Sequence, residues 1–393
     1  MKAAFLQGAP LDREVYIRPP AEADAGDKIW KMNTCVYGLN DASRYWYLRV
    51  REELYSLGMR TSKYDNAIFY WYKNNRLEGI ITCHVDDFLW CGTSNFGIEV
   101  IEGLRKIFLL GTEQSGIFKY LGLNLQQHCD RTIVVNQHTQ VDDLKVPNVN
   151  HERRLQKEES LTSGEISTLR SICGQLNWLS SQTRPDLAFD VCDLSCSVKN
   201  GNVSHLLRAI KVIRKAQSDR VSIKFPMLDL SSCSVVIYSD ASYGNLPDGS
   251  SQGGYIVFLC DEKGVCVPIT WSSTKIRRIV RSTLAAEYLA LQDAADTGIL
   301  ISSLFSELLD SESHPMNIIC KTDSMGLYKA LYSTKCVQDK RLRVDMARLR
   351  QMIERREITQ VEWVESSKQL ADCLTKKTAS SQSLLNVLNK GIL

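Results

Sequence analysis

Apolar and polar positions change their rhythm along the chain. Within residues 41–57, Trp46, Val50, Leu54 and Leu57 recur at helical spacing, and Gly58 stands where such a helix would stop. β-Branched and aromatic residues then crowd 67–72 and 77–83 on either side of Asn74-Asn75, which predicts a hairpin. Residues 85–91 read as a further strand, and Ile98, Ile101, Leu104, Ile107 and Phe108 mark a helix. Strands also fit 120–125 and 132–135. The polar, charged stretch 151–165 predicts a hinge. Helical spacing takes over at 166–179, 187–198 and 205–216, the second of these entered through Arg184-Pro185-Asp186.

From Ser234 onward the pattern becomes strand, strand, strand, helix, strand, helix, strand, helix. The strands fall at 235–239, 254–259, 265–271, 318–322 and 360–364. That order implies a mixed five-stranded sheet with flanking helices. The expected class is α/β and α+β, multi-domain, with parts at 1–150, 151–230 and 231–393. A chain of 393 residues is long enough for two or three domains of roughly 150 residues each.

Composition narrows the classes without naming a function. Charged residues make up 24% and hydrophobic ones 44%, ordinary for a globular protein and unlike a disordered one. No apolar run reaches the roughly 18 to 20 residues that span a bilayer, and the N-terminus lacks a signal-peptide pattern, so no membrane partner is expected. The 13 cysteines form no paired framework and read as reduced core residues; His128-Cys129 lacks partners at zinc-finger spacing. With a net charge of only +3, any nucleic-acid contact has to come from local basic stretches. One such stretch is Lys340-Arg341-Leu342-Arg343 with Arg348, Arg350, Arg355 and Arg356, to be weighed against a solvated helix face paired with Asp345, Glu354 and Glu357.

Candidate chemistry lies in the C-terminal carboxylates. Asp240 ends the apolar run Val235-Val236-Ile237-Tyr238, and Asp323 follows Ile318-Ile319-Cys320. If these strands are parallel neighbours, both acids emerge at the sheet edge where α/β folds place ligands. Leu284, Glu287 and Leu291 share one helix face, so a glutamate occupies an apolar face. Asp372 stands among Leu370, Ala371, Cys373 and Leu374 at the expected start of the last helix. Acids converging in partly buried surroundings repel one another unless cations neutralise them. Two Mg²⁺ (or Mn²⁺) ions could activate a water and stabilise a leaving oxygen in phosphodiester cleavage. The plain alternative is that each acid is an unrelated cap or surface charge.

The strings SDAS (239–242), STLAAEY (282–288), KTDS (321–324) and QLADCLTKK (369–377), with ITWSS (269–273) between them, resemble the RNase H domain of copia-type retroelements. That resemblance implies that Asp240, Glu287, Asp323 and Asp372 bind the metals and that the activity is hydrolysis of RNA in RNA–DNA hybrids. MKAAFLQG (1–8), REVYIRPP (13–20), YGLNDASRYWY (37–47), HVDD (84–87), KYLGLNL (119–125) and TRPDLAF (183–189) are similar to the reverse transcriptase of the same copia-type Pol polyproteins. The implied architecture is a truncated reverse-transcriptase palm at 1–150, a helical thumb or connection at 151–230 and an RNase H-like domain at 231–393.

By the same resemblance Asp86 and Asp87 are polymerase metal ligands, and Phe5 is the aromatic residue beneath the incoming sugar. The family's third Asp would precede Met1 immediately, and the fingers would lie before it, so the expectation is a polymerase-defective chain. Two further departures agree: His84 replaces a usual Tyr, and Asp41-Ala42-Ser43 replaces Gln-Ala-Pro, which puts an acid where a neutral amide would face a triphosphate. Implied partners are RNA–DNA hybrid and primer-template nucleic acid, with other Pol or Gag products; the implied location is intracellular, in cytoplasmic virus-like particles or the nucleus. Two other classes stay open: a non-catalytic, domesticated or decayed remnant that binds nucleic acid, and an unrelated metal-dependent nuclease.

Overall fold

The computed structural model describes residues 3–310, 315–333 and 337–393, and the chain divides into two compact units. The first comprises Met1–Ser115 with Ser303–His314. A short antiparallel pair, β1 (Tyr16–Ile17) and β2 (Trp30–Lys31), precedes helix α1 (Ala42–Ser56). An antiparallel sheet in the order β3 (Arg60–Thr61), β4 (Ile68–Lys73), β5 (Arg76–His84), β6 (Asp87–Gly92) follows. A helical stretch of α2 (Ser94–Phe96), a π-type turn (Gly97–Ile101) and α3 (Glu102–Ile107) completes it. Trp46, Val50 and Leu54 of α1 are buried with Phe69, Trp71, Ile81 and Phe96, the positions whose periodicity predicts the core.

Both turns of the β4–β5–β6 meander are two-residue hairpins. Asn74 and Asn75 carry φ of 52° and 57°, the left-handed pair that a mirror-image turn needs and asparagine tolerates. At the second tip the sequence reading of 85–91 as strand starts too early. Val85 has φ 53° and His84 pairs with Asp87, so Val85 and Asp86 form the loop. A β-branched residue is costly there. The Trp46 indole offsets part of that cost by donating to the Val85 carbonyl at 2.6 Å.

The second unit comprises Gly116–Ser302 and Pro315–Leu393. It opens with β7 (Ile117–Tyr120), β8 (Leu123–Gln127) and β9 (Ile133–Asn136). The single strand expected at 120–125 is thus two strands, because Leu121 and Gly122, at φ 47° and 79°, turn the chain back. Helices α4 (His138–Asp142), α5 (His151–Leu155), α6 (Ser163–Gln182), α7 (Ala188–Ser197) and α8 (Val203–Ser218) follow, and β10 (Ile223–Phe225) pairs with β9. The stretch 151–165 is not a hinge. It holds α5 and a capping box of Thr162 and Glu165, and Arg153 clamps Glu165 at 2.8 Å.

The five-stranded sheet runs β13 (Cys266–Lys275), β12 (Gln252–Cys260), β11 (Ser234–Ser242), β14 (Ile318–Thr322), β15 (Gln360–Trp363). β11, β12 and β13 pair antiparallel, whereas β14 and β15 run parallel to β11, as the order of strands and helices predicts. Helix α9 (Thr283–Leu308) connects β13 to β14; α10 (Met325–Tyr332) and α11 (Lys340–Glu354) connect β14 to β15. The chain ends in α12 (Gln382–Lys390). No helix among the described residues is long and apolar enough to cross a membrane.

Helices and sheet of this unit are bound by shared burial. Ala188 of α7 packs against the core of Val236, Tyr238, Phe258 and Leu374, and the Trp271 indole donates to the Ser180 carbonyl at 2.6 Å. Arg184 is 1% exposed. It grips Asp186 through two bonds of 2.9 Å and donates to the carbonyls of Ala216 and Asp219 at 3.0 Å each. This guanidinium therefore ties the α6–α7 junction to the end of α8. Arg184→Ala would leave the buried Asp186 carboxylate with only a longer, 3.6 Å contact to Lys215, and we expect a loss of about 3–5 kcal/mol in denaturant unfolding. The double change Arg184→Met/Asp186→Leu should recover most of it; an Arg184→Ala chain as stable as the parent would contradict this assignment.

Candidate metal centre

Two parallel strands and one helix bring three acids together. Tyr238 of β11 stands in register with Lys321 of β14, so Asp240 and Asp323, each two residues farther on, leave the same end of the sheet. Glu287 reaches them from the second turn of α9. One carboxylate oxygen from each of Asp240, Glu287 and Asp323 lies within 4.8 Å of the other two. Asp240 and Glu287 are buried, at 1% and 6% exposure, while Asp323 is half-buried.

Two glycines permit this approach. A Cβ on Gly298 would meet Ile237 Cδ1 at 2.4 Å, so the glycine lets α9 lie directly on β11. Gly254, the partner of Asp240 in β12, leaves room for Leu374, whose Cβ would be 2.7 Å from an added Cβ. The segment 369–376 thereby closes over Asp240. Gln369 donates to the Ser239 carbonyl at 2.9 Å, the Thr375 hydroxyl donates to Asp240, and Lys376 Nζ reaches Asp240 at 3.3 Å. On the other side Ser366 donates to Asp323 Oδ2 at 2.8 Å.

Asp372 differs from the other three. It opens a short 3-10 turn (Asp372–Leu374), not the last helix, and its carboxylate is held 2.5 Å from Lys376 Nζ. Among the described residues the cluster is one of three acids, with Asp372 joined to it through the Lys376 ammonium. Lys376, Thr375 and Ser366 were not legible as site residues. Lys376 stands four residues after Asp372, the spacing of an ion pair on a helix, but its second partner comes from a distant strand.

The electrostatics follow from burial. Burial first, and Asp372 and Asp323 after it, push Asp240 up to about 6 against the opposing pull of Lys376 and Thr375. Burial, then the charges of Asp240 and Asp323, push Glu287 up to about 9. Burial opposes the Lys376 ammonium, yet Asp240 and Asp372 outweigh it and raise its pKa above the usual lysine value. Hard oxygen donors, two of them on buried side chains whose charged form burial disfavours, suit a divalent cation. One lysine cannot neutralise four carboxylates.

The other candidates are placed differently. Asp86 and Asp87 stand at the β5–β6 hairpin tip, half-buried and exposed respectively, and no third carboxylate gathers with them among the described residues. Phe5 is buried, with Tyr37 against its ring at a 4.6 Å centroid distance. Asp41 is drawn to Arg13 at 2.6 Å, so its charge is partly met within the unit. On α11 the arginines are largely spoken for. Arg350 donates to the Ala330, Leu331 and Ser333 carbonyls, Arg348 pairs with Glu357 at 3.0 Å, and Arg343 donates to the Val337 carbonyl.

Residues 1–148 match the reverse transcriptase (RNA-dependent DNA polymerase) family. The retrovirus-related Pol polyprotein from transposon RE2 of Arabidopsis thaliana is 28% identical over 95% of the chain, which spans about a quarter (26%) of that polyprotein. The chain is similar to the Pol polyproteins of plant retrotransposons RE1 and RE2. A putative transposon Ty5-1 protein of Saccharomyces cerevisiae is 24% identical over 74% of this chain and 97% of its own length. Among solved structures, LC11-RNase H1 in complex with RNA/DNA hybrid is 22% identical with a TM-score of 0.28, covering 38% of the chain and 99% of its own.

The two raised carboxylates give the second unit a pH signature. A folded acid with a raised pKa holds its proton where the unfolded chain has lost it. It therefore costs stability progressively as pH climbs from about 4 toward 9. Glu287→Gln removes the larger contribution. In metal-free thermal scans its melting point should match the parent at about pH 4 and exceed it by at least about 2–4 °C at about pH 9. A gap that closes toward alkaline pH would overturn the assignment.

Proposed function

We propose that the centre formed by Asp240, Glu287 and Asp323 hydrolyses the RNA strand of RNA–DNA hybrids with Mg²⁺ or Mn²⁺. One observation carries this reading: three carboxylate oxygens from separate elements meet within 4.8 Å, two of them on buried side chains. Bound divalent cations would supply an activated water and stabilise the leaving oxygen. The chain's own groups hold the ligands in place. Ser366 orients Asp323, and Thr375 and Lys376 orient Asp240. Asp372, whose carboxylate is paired with the Lys376 ammonium, would serve as the fourth ligand in this reading. Palm, connection and nuclease are the roles proposed for the parts expected at 1–150, 151–230 and 231–393, with the strands from Ile117 to Asn136 folding into the second unit instead of the first.

Purified chain with a labelled RNA–DNA hybrid and Mg²⁺ is expected to cut the RNA strand. Asp240→Asn should lower the rate by on the order of 10²-fold or more, since even groups behind metal ligands are worth 10- to 100-fold. Cleavage that is absent, or equal in Asp240→Asn, would refute the proposal. A second reading, a non-catalytic remnant that binds nucleic acid, draws on Lys376, whose ammonium already bridges Asp240 and Asp372. It is distinguished by hybrid binding without turnover in either Mg²⁺ or Mn²⁺.

For the hairpin acids we propose no polymerase activity in this chain alone, because Asp86 and Asp87 gather no third carboxylate among the described residues. Extension of a labelled primer-template with deoxynucleotides should leave the primer unchanged; any longer product would show the reverse.

A further inference from the structure

We infer that the second unit carries a distinct phosphate-backbone groove leading to the three-carboxylate centre, which deepens the hybrid-hydrolysis reading and rests on it. The groove has a volume of about 950 Å³. One wall is α8 with Arg154 and Lys157; the other is the loop after β11 and residues 376–378. Its charge is strongly one-sided. Arg154, Lys157, Lys211, Arg214, Lys376 and Lys377 line it, and the one acidic lining residue, Asp193, is already bound with Asp190 to Arg208.

Basic surfaces are usually laced with acids, and α11 is closer to that ordinary case, with Arg343, Arg348 and Arg350 engaged by Glu357 and by carbonyls. The smaller pocket at the start of α11 is similar, since Asp339 and Asp345 stand among its cations and Asp345 pairs with Arg278. In the α8 groove, by contrast, Lys157, Lys211, Arg214 and Lys377 are exposed and have no carboxylate partner among the described residues. Arg154 gives only its Nε–H to a carbonyl, that of Val149. Uncompensated cations concentrated in a concave surface raise the local potential and attract a polyanion.

The groove is continuous with the centre. Ser242 on its wall lies two residues beyond Asp240 on β11, and Lys376 lines the groove while bonding Asp240 and Asp372. Asn245, also lining it, donates to the Thr375 carbonyl at 3.0 Å, so the groove loop and the segment over Asp240 are fastened together. A strand whose phosphates occupy the α8 side is therefore led to the carboxylates. Arg and Lys contacts to phosphate fix register without reading sequence, so the groove takes hybrid in a sequence-independent way. Arrival of phosphates also gives Lys376 an alternative anion, which would loosen its hold on Asp372.

The test is binding, measured in EDTA so that catalysis does not enter. Fluorescence anisotropy of a short labelled RNA–DNA hybrid is titrated with the full chain at several salt concentrations. Lys211→Ala/Arg214→Ala is expected to weaken binding about tenfold near physiological salt and to make the slope of log K against log salt shallower by about 2. The charge-keeping swap Lys211→Arg/Arg214→Lys should retain affinity, and Lys199→Ala/Lys390→Ala, which removes equal charge elsewhere, should leave both quantities unchanged. Unaltered affinity and slope in the first variant, equal loss in the control pair, or no binding by the parent chain overturns the groove. If binding responds as expected while hydrolysis fails, the groove stands and the nuclease reading falls; hydrolysis with indifferent binding does the opposite.

Discussion

Mutual repulsion of carboxylates in a dry pocket is the constraint around which the second unit is arranged. Asp240, Glu287 and Asp323 could relieve it by moving apart, and the backbone prevents this. The parallel register of β11 and β14 fixes two of them at one sheet end, and Gly298 lets α9 press the third against them. Such an arrangement lowers stability when no cation is present. It persists because the elements that impose it are anchored elsewhere, by Val235, Ile237 and Cys320 in the strands and Leu291 and Ala294 in the helix, all buried away from the charges. Strain held by a well-packed frame is what pre-organises a ligand set.

What partly relieves the repulsion comes from the segment 366–376, and this gives that segment its importance. A lysine, two hydroxyls and an amide reach from it to the sheet end. The contacts made to Asp240 are not surface ion pairs of the kind worth little in water, because that carboxylate is buried. Lys376 is shared between the acids and the basic groove, so the same ammonium offsets part of the charge of Asp240 and Asp372 and lines the groove. The helices contribute through Arg184 and Ala188, which join α6, α7 and α8 to the sheet and keep the groove wall in fixed relation to Asp240.

The sequence made the sheet readable because its strands are fully or half buried and so leave uninterrupted or alternating apolar runs. It also exposed two of the acids by their strand ends and Glu287 by its wrong polarity for an apolar helix face. Turn chemistry was harder. Leu121 in a left-handed turn has no local signal beyond Gly122, so one strand was read where two exist. The polar stretch 151–165 looked like a hinge because its anchoring is by capping and an Arg153–Glu165 pair, which hydrophobic periodicity does not register. Lys376 and Ser366 were invisible for a different reason: their partners lie on other elements, and no spacing rule links them. Asp372 was readable as an acid among apolar neighbours, though its lysine clamp was not.

The two acidic pairs of this chain show why sequence adjacency is a poor guide to a metal centre. Asp86 and Asp87 are neighbours on a tight hairpin, where aspartates are welcome for turn reasons and water can solvate them. Asp240 and Asp323 are 83 positions apart in numbering, yet the sheet sets them side by side, and Glu287 closes the triangle from a helix. Burial separates the cases physically: it penalises each charge on Asp240 and Glu287, and that penalty is the free energy a bound cation recovers. At the hairpin tip the penalty is small for Asp87, which is exposed, so a cation gains less there unless another carboxylate joins. Affinity for divalent ions in this chain should therefore follow enclosure and convergence more closely than the count of adjacent acids.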